Sequence, residues 1–403
     1  MHKKILLITS TILIAVIGFI SCINNNNPMP EDVRGKDYAG ASTCISCHKN
    51  IADIYIHSAH HNTSRISSAE NIDGSFTSPA NEFVYSDSMK VTMEKKGNTF
   101  YQTAYINGAE TESHPFNITI GSGRKAQTYL YHAGDEIHQL PISYFMPTAS
   151  WANSPGFPAN NIFFSRNIPS KCFGCHASAA NVEVVQTGSL ELSEKYLPGQ
   201  QLLSIDCERC HGPAKLHADY HTAHPGETVP KYITVITKLS RQQKMDMCGV
   251  CHSGNKKELK SVFEFKPGDD LHDYQEPDFM HVDINKMDVH GNQVQLLMAS
   301  KCYQQSKDLN CLSCHNAHGD EIQNMALFSQ KCMVCHTEAN HNFCTMKPAP
   351  GLVLQANCID CHMPALPSKK VTLLTNHQES PRPDYIRTHL IAVYNKLNNA
   401  ITK

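Results

Sequence analysis

The pentapeptide Cys-x-x-Cys-His occurs seven times in these 403 residues, at Cys44/Cys47/His48, Cys172/Cys175/His176, Cys207/Cys210/His211, Cys248/Cys251/His252, Cys311/Cys314/His315, Cys332/Cys335/His336 and Cys358/Cys361/His362. Two thiols three positions apart on one turn can each form a thioether to a haem vinyl group. The adjacent His then falls beneath the ring as the proximal iron ligand. The spacing therefore predicts seven covalently attached c-type haems, and any fold of this chain has to wrap them. Zinc ribbons also use Cys-x-x-Cys, but they need two pairs per metal and no His directly after each pair. Here every pair is followed by His.

Seven haems in one chain leave little room for a conventional core, so haem faces must supply much of the buried apolar surface. The expected fold is mainly α, with extensive loops wrapped around a covalent haem stack and a small antiparallel β-rich insertion in the N-terminal part. Six motifs crowd between Cys172 and His362, whereas 128 positions separate Cys44 from Cys172. Within that gap Glu82 to Tyr85, Lys90 to Met93 and Thr99 to Tyr105 alternate and are rich in β-branched and aromatic residues, with Lys96-Gly97-Asn98 as a turn. The insertion is placed at residues 75–145. Helices are expected at Lys49 to Ser58, Glu191 to Leu197 and Ile386 to Asn395, and a loop at Ser154 to Pro158. The motif spacings of 128, 35, 41, 63, 21 and 26 residues exclude a strict solenoid.

The amino terminus reads as an address. His2, Lys3 and Lys4 precede an apolar stretch from Ile5 to Ile20, the charged and hydrophobic regions of a secretory signal. Phe19-Ile20-Ser21-Cys22 resembles the lipobox of bacterial lipoproteins, which implies a lipid on Cys22; an uncleaved transmembrane anchor is the competing reading. Asn24 to Asp32, with four asparagines and two prolines, reads as a flexible spacer. The expected organisation is a signal at 1–22, a tether at 23–40, an N-terminal part with the first motif and the β-rich insertion at 41–168, and a six-haem part at 169–403. The location implied is the bacterial periplasm or outer membrane, held by a lipid anchor. A formal charge of -2 gives no basic excess for nucleic acid. Motifs and lipid use all but two of the 17 cysteines; in a compartment where disulfides persist, the remaining Cys302 and Cys344 are expected to pair.

Several segments together resemble the multihaem family typified by the tetrahaem cytochrome that accepts electrons from hydroxylamine oxidoreductase. They are Cys44 to His61, Gln127 to Tyr144 with its Leu140-Pro141 step, Cys207 to Pro213 with His217, Cys311 to His318, and Asn357 to Pro364. The resemblance implies a mostly helical haem-binding fold, packed haem pairs and bis-histidine ligation of most irons. This chain departs from it by carrying seven motifs and a β-rich insertion. Second axial ligands are expected among His60, His138, His217, His290, His318, His341, His377 and His389, one more than seven irons need. His60 is favoured because the Ser58-Ala59-His60 ending resembles the family. His217 and His318 follow their own motifs too closely to reach the opposite ring face, so each suits a neighbouring haem. His389, in the expected helix, is preferred to His377. Trp151 is expected to pack against the insertion or a haem edge, and His221 and His224 to lie solvated in a loop.

Three functions fit such a chain: a carrier exchanging electrons with redox proteins or a quinol-linked complex, a structural conduit in a surface assembly, or an oxidoreductase acting on a small nitrogen or sulfur compound at one five-coordinate haem. Multihaem nitrite reductases commonly replace the motif His of the catalytic haem by Lys. All seven positions here are His, which favours electron transfer over catalysis.

Overall fold

The structure is a computed structural model, and it describes residues 31–276, 284, 287–319, 321, 324–346, 353–376, 378 and 380–394. Cys22 and His377, and with them the signal, the lipid site and one candidate ligand, lie outside the described residues.

Strands begin early in the chain. A four-stranded antiparallel meander is formed by β2 (Glu82–Ser86), β3 (Met89–Lys96), β4 (Thr99–Ile106) and β5 (Ala109–Phe116). Its sequence alternates because every second side chain points inward: Phe83, Val91, Met93, Phe100 and Ala104 are buried. Gly97, at φ 63°, opens the two-residue turn between β3 and β4. Asn107 and Gly108, at φ 50° and 78°, form the next turn, the Asn-Gly pairing that suits the right-handed twist of a hairpin.

A nine-stranded sheet faces the meander. It runs in the order β1 (Ser64–Ile66), β6 (Ile118–Ile120), β7 (Ala126–Ala133), β9 (Ile142–Phe145), β10 (Ser150–Asn153), β14 (Ala365–Thr375) and β15 (Arg382–Arg387), with β8 (Glu136–Gln139) and β11 (Arg166–Asn167) branching from β7. The two apolar faces meet in the main core, where Phe83, Val91, Met93 and Phe100 pack with Tyr129, Leu140, Ile142 and Trp151. Gln102 is buried there, yet its amide donates to Ile142 O at 2.7 Å and accepts from Ile142 N at 3.0 Å, so its polar atoms carry no desolvation debt. Trp151 is 2% exposed and donates from Nε1 to Ser75 O at 2.9 Å. A separate hairpin pairs β12 (Ala177–Gln186) with β13 (Leu192–Leu203).

The expectation of a mainly α chain is overturned: among the described residues strand makes up 29% and helix 25%. Glu191 to Leu197 lies mostly in β13, because pairing with Ala177–Gln186 outweighs the helical preference of its Glu and Leu residues. Ile386 and Arg387 end β15, and residues 388–394 form no regular helix. The helix expected from Lys49 is present as α2 (Lys49–Tyr55), following α1 (Ala41–Cys47). The remaining helices are short, and several carry a motif, which needs only about one turn. They are α3 (Ser170–Phe173), α4 (Cys207–His211), α5 (Lys215–Ala223), α6 (Arg241–His252), α7 (Gln293–Met298), α8 (Lys301–Gln305), α9 (Met325–Met333) and α10 (Ile359–His362). The longest, α6, starts with a capping box between Ser240 and Gln243, which satisfies two orphan donors. Among the described residues no helix is long and apolar enough to cross a membrane.

Candidate haem centres

Each motif sits on or beside a short helix: α1 ends at Cys47, α4 spans Cys207–His211, α6 ends at His252, α9 carries Cys332, and α10 ends at His362. The arrangement of the histidine rings is the main finding. Four motif rings face a histidine from elsewhere in the chain. His48 faces His217 with centroids 6.4 Å apart and planes at 12°, and His211 faces His318 at 5.9 Å and 4°. His252 faces His60 at 6.3 Å and 80°, and His315 faces His389 at 6.2 Å and 31°.

Two metal–imidazole bonds of about 2 Å each, plus the step from each nitrogen to its ring centre, set the centroids of a bis-histidine pair roughly 6.3 Å apart. All four separations fit. Ordinary aromatic pairs cover the same range, but they would not pair a motif His with a non-motif His in each of four cases. A neighbouring pair on one helix face, His217 and His221, packs instead at 4.6 Å.

The ring nitrogens are prepared in a consistent way. His217 donates from Nδ1 to Lys231 O at 2.8 Å, His362 to Ala392 O at 2.9 Å and His336 to Asn342 O at 3.1 Å, while His176 Nδ1 meets Thr63 Oγ1 at 3.0 Å. With Nδ1 engaged, Nε2 is the nitrogen left for a metal. Burial, reinforced by His60, pushes His252 down to about 4, and burial with His315 does the same to His389. Both are thus neutral near pH 7, the form in which imidazole binds a metal. Burial, then His290, also lowers His176. His290 is set by Asp288, which accepts from His290 N at 2.8 Å and from Ser368 Oγ at 2.7 Å, and also from Lys369 N.

The other candidates are placed differently. His138 lies in β8 with both nitrogens engaged, Nδ1 with Tyr131 Oη at 3.3 Å and Nε2 with Glu136 Oε2 at 2.8 Å; its strand points it into a polar cluster. His341 is exposed in a turn at φ 53°. Cys302 and Cys344 are both free thiols, and no bond joins them. Cys302 lies within electrostatic reach of Cys314 and Cys335, and Cys344 within reach of Cys361. His221 and His224 do not lie in a loop: one is on α5 and the other caps it.

The thiols of different motifs also meet, Cys44 with Cys207, Cys175 with Cys251 and Cys248 with Cys311. Some large apolar side chains exposed on the polypeptide lie at the motifs, among them Ile45, Ile51 and Ile54 by the first, Leu216 by His217, Leu312 in the fifth and Val334 in the sixth. They are the surface that porphyrin faces would cover. Paired neutral imidazoles, adjacent thiols and apolar walls all fit haem.

A match to the family described as cytochrome c554 and c-prime covers residues 160–212, which hold the second and third motifs. No curated protein matches the chain in sequence. Among solved structures the chain is similar to the outer cell wall cytochrome OcwA, with a TM-score of 0.52 at 15% identity over 91% of this chain and 82% of the other. The family match is to a c-type cytochrome and covers two motifs, and the fold is shared with another cytochrome. They do not extend to the tetrahaem, hydroxylamine-linked protein in particular.

Proposed function

We propose that the chain is an exported heptahaem c-type cytochrome that conducts electrons between redox partners through haems ligated mainly by two histidines. The four motif rings standing 5.9–6.4 Å from a second histidine carry this reading. His217, His60, His318 and His389 would be the second ligands of the first, fourth, third and fifth motifs, and His290, within electrostatic reach of His176, would serve the second.

A bis-histidine haem supplies one-electron chemistry without ligand exchange. The protein's part is to hold imidazoles on both sides, to fix rings such as that of His217 through Nδ1, and to surround them with apolar side chains that limit reorganisation. The partners are redox proteins or a quinol-linked complex. Similarity to an outer cell wall cytochrome supports a site at the cell surface, with a lipid on Cys22 as the tether.

The mass of the mature holoprotein and its EPR spectrum test the proposal together. The expected mass carries seven haems and a lipid, and the expected spectrum is predominantly low-spin. Several high-spin haems would overturn the carrier reading, and one high-spin haem that binds nitrite or hydroxylamine would convert it to an oxidoreductase.

A further inference from the structure

We propose that Arg209 is the fixed positive charge at a three-way junction of the haem path, where the second, third and fourth motifs meet, and that it raises the reduction potential of the haems there. The inference rests on the reading that these motifs carry haem.

Arg209 lies inside the third motif, between its two cysteines, and its guanidinium reaches out of its own turn. Nη2 donates to Gly174 O, inside the second motif, at 3.0 Å, and Nη1 donates to Val262 O at 2.9 Å. The same Gly174 carbonyl receives the Cys251 thiol of the fourth motif at 3.6 Å, while the Cys175 thiol reaches Cys251 O at 3.9 Å. Three motifs therefore share one carbonyl and one cation.

The other motifs continue from this point. The first joins the third, because Ala39 N and Gly40 N donate to Glu208 at 2.8 and 2.9 Å. The fifth joins the fourth through Cys311 Sγ and Met245 Sδ at 3.7 Å. Phe328 of α9 lies 5.4 Å from the His315 ring, linking the sixth to the fifth, and Cys358 N donates to Ser329 Oγ at 2.9 Å, linking the seventh to the sixth. These polypeptide contacts string the motifs together, with Gly174 of the second bridging the third and the fourth at the junction.

The charge of Arg209 is not neutralised. The acidic groups of its own turn, Asp206 and Glu208, are held by Arg34 at 2.8 and 3.2 Å, and no carboxylate among the described residues pairs with Arg209. Its Nε is buried without an acceptor, and its cation lies 5.4 Å from the Phe263 ring centre. A partly buried cation is weakly screened and favours whichever iron state carries less positive charge, which is the reduced one.

The test is spectroelectrochemistry of the full-length holoprotein with Arg209→Gln and Arg209→Lys, after each haem count has been read by mass. The expected result is that R209Q moves a subset of the midpoints to more negative potential, while R209K, which keeps the charge, leaves them near the unsubstituted values and both spectra stay low-spin. Identical midpoints in R209Q and the unsubstituted protein would overturn the proposal, as would equal shifts in R209Q and R209K, which mark a packing role. An unsubstituted protein lacking haem at the second, third or fourth motif would overturn the underlying reading instead. If R209Q does not mature, Phe263→Glu sets a carboxylate beside the cation, and the same negative shift is expected; unchanged midpoints would again reject the role.

Discussion

The paired sheets and the motif region solve the problem of burial in opposite ways. In the sheets, Val91, Met93, Ile137, Leu140 and Ile142 are fully buried by other side chains, and their alternation along the strands records that burial. Around the motifs, Ile45, Ile54, Leu216 and Val334 stay exposed on the polypeptide. On the proposed reading their apolar partner is haem. The first region is encoded by side-chain pattern alone, while the second would be encoded by attachment points and would become a core when haem is attached.

The strongest way to break this contrast is to block haem attachment altogether. Hydrogen exchange should then lose protection across α4, α5 and α9 and keep it in β3, β4 and β7; uniform loss would show that the sheets depend on haem as well. Trp151→Ala attacks the other side. It should cost about 3–5 kcal/mol in denaturant unfolding, since Trp151 touches Phe76, Tyr129 and Tyr144, and it should leave the haem spectrum unchanged. His60→Ala should convert one low-spin signal to a high-spin one in EPR with little loss of sheet stability. Gly108→Ala, at φ 78°, should cost about 1–2 kcal/mol by forcing a Cβ into a left-handed turn. The exposed pair Lys49 and Asp53, 2.9 Å apart, should show a coupling of only about 0.3–0.5 kcal/mol in a double-mutant cycle.

The same contrast explains what could be read from the sequence. The β-rich segment at 75–145 was legible because its strands pair with near neighbours and their alternation is local. The Asn107-Gly108 turn was an available signal that the sequence reading did not use. Strands β13, β14 and β15 were not legible: Glu191 to Leu197 carries helix-favouring residues, and β14 pairs with β10, whose partners lie more than two hundred positions away. The motifs themselves are explicit, being contiguous. Which histidine opposes which motif is a matter of tertiary geometry. His217 and His318 could be marked as suited to a neighbour because a short connection cannot circle a ring, and His60 was favoured only by a family-like Ser58-Ala59-His60 ending, but nothing local shows that Glu136 and Tyr131 already hold His138.

The pairing of β10 with β14, Ala152 opposite Thr375 and Asn153 opposite Leu374, has a consequence for the timing of assembly. A chain made amino-terminus first presents β10 as an open edge, with its backbone groups unpaired, until residues beyond the seventh motif have been added. The segment that closes this edge also brings in His389, whose carbonyl accepts from Ser300 Oγ at 3.2 Å while Ile391 N donates to the same oxygen at 2.8 Å. The stretch after the seventh motif thus seals the sheet and supplies the ring facing His315 in one act, so a chain truncated before this point carries every attachment motif yet keeps an unpaired edge.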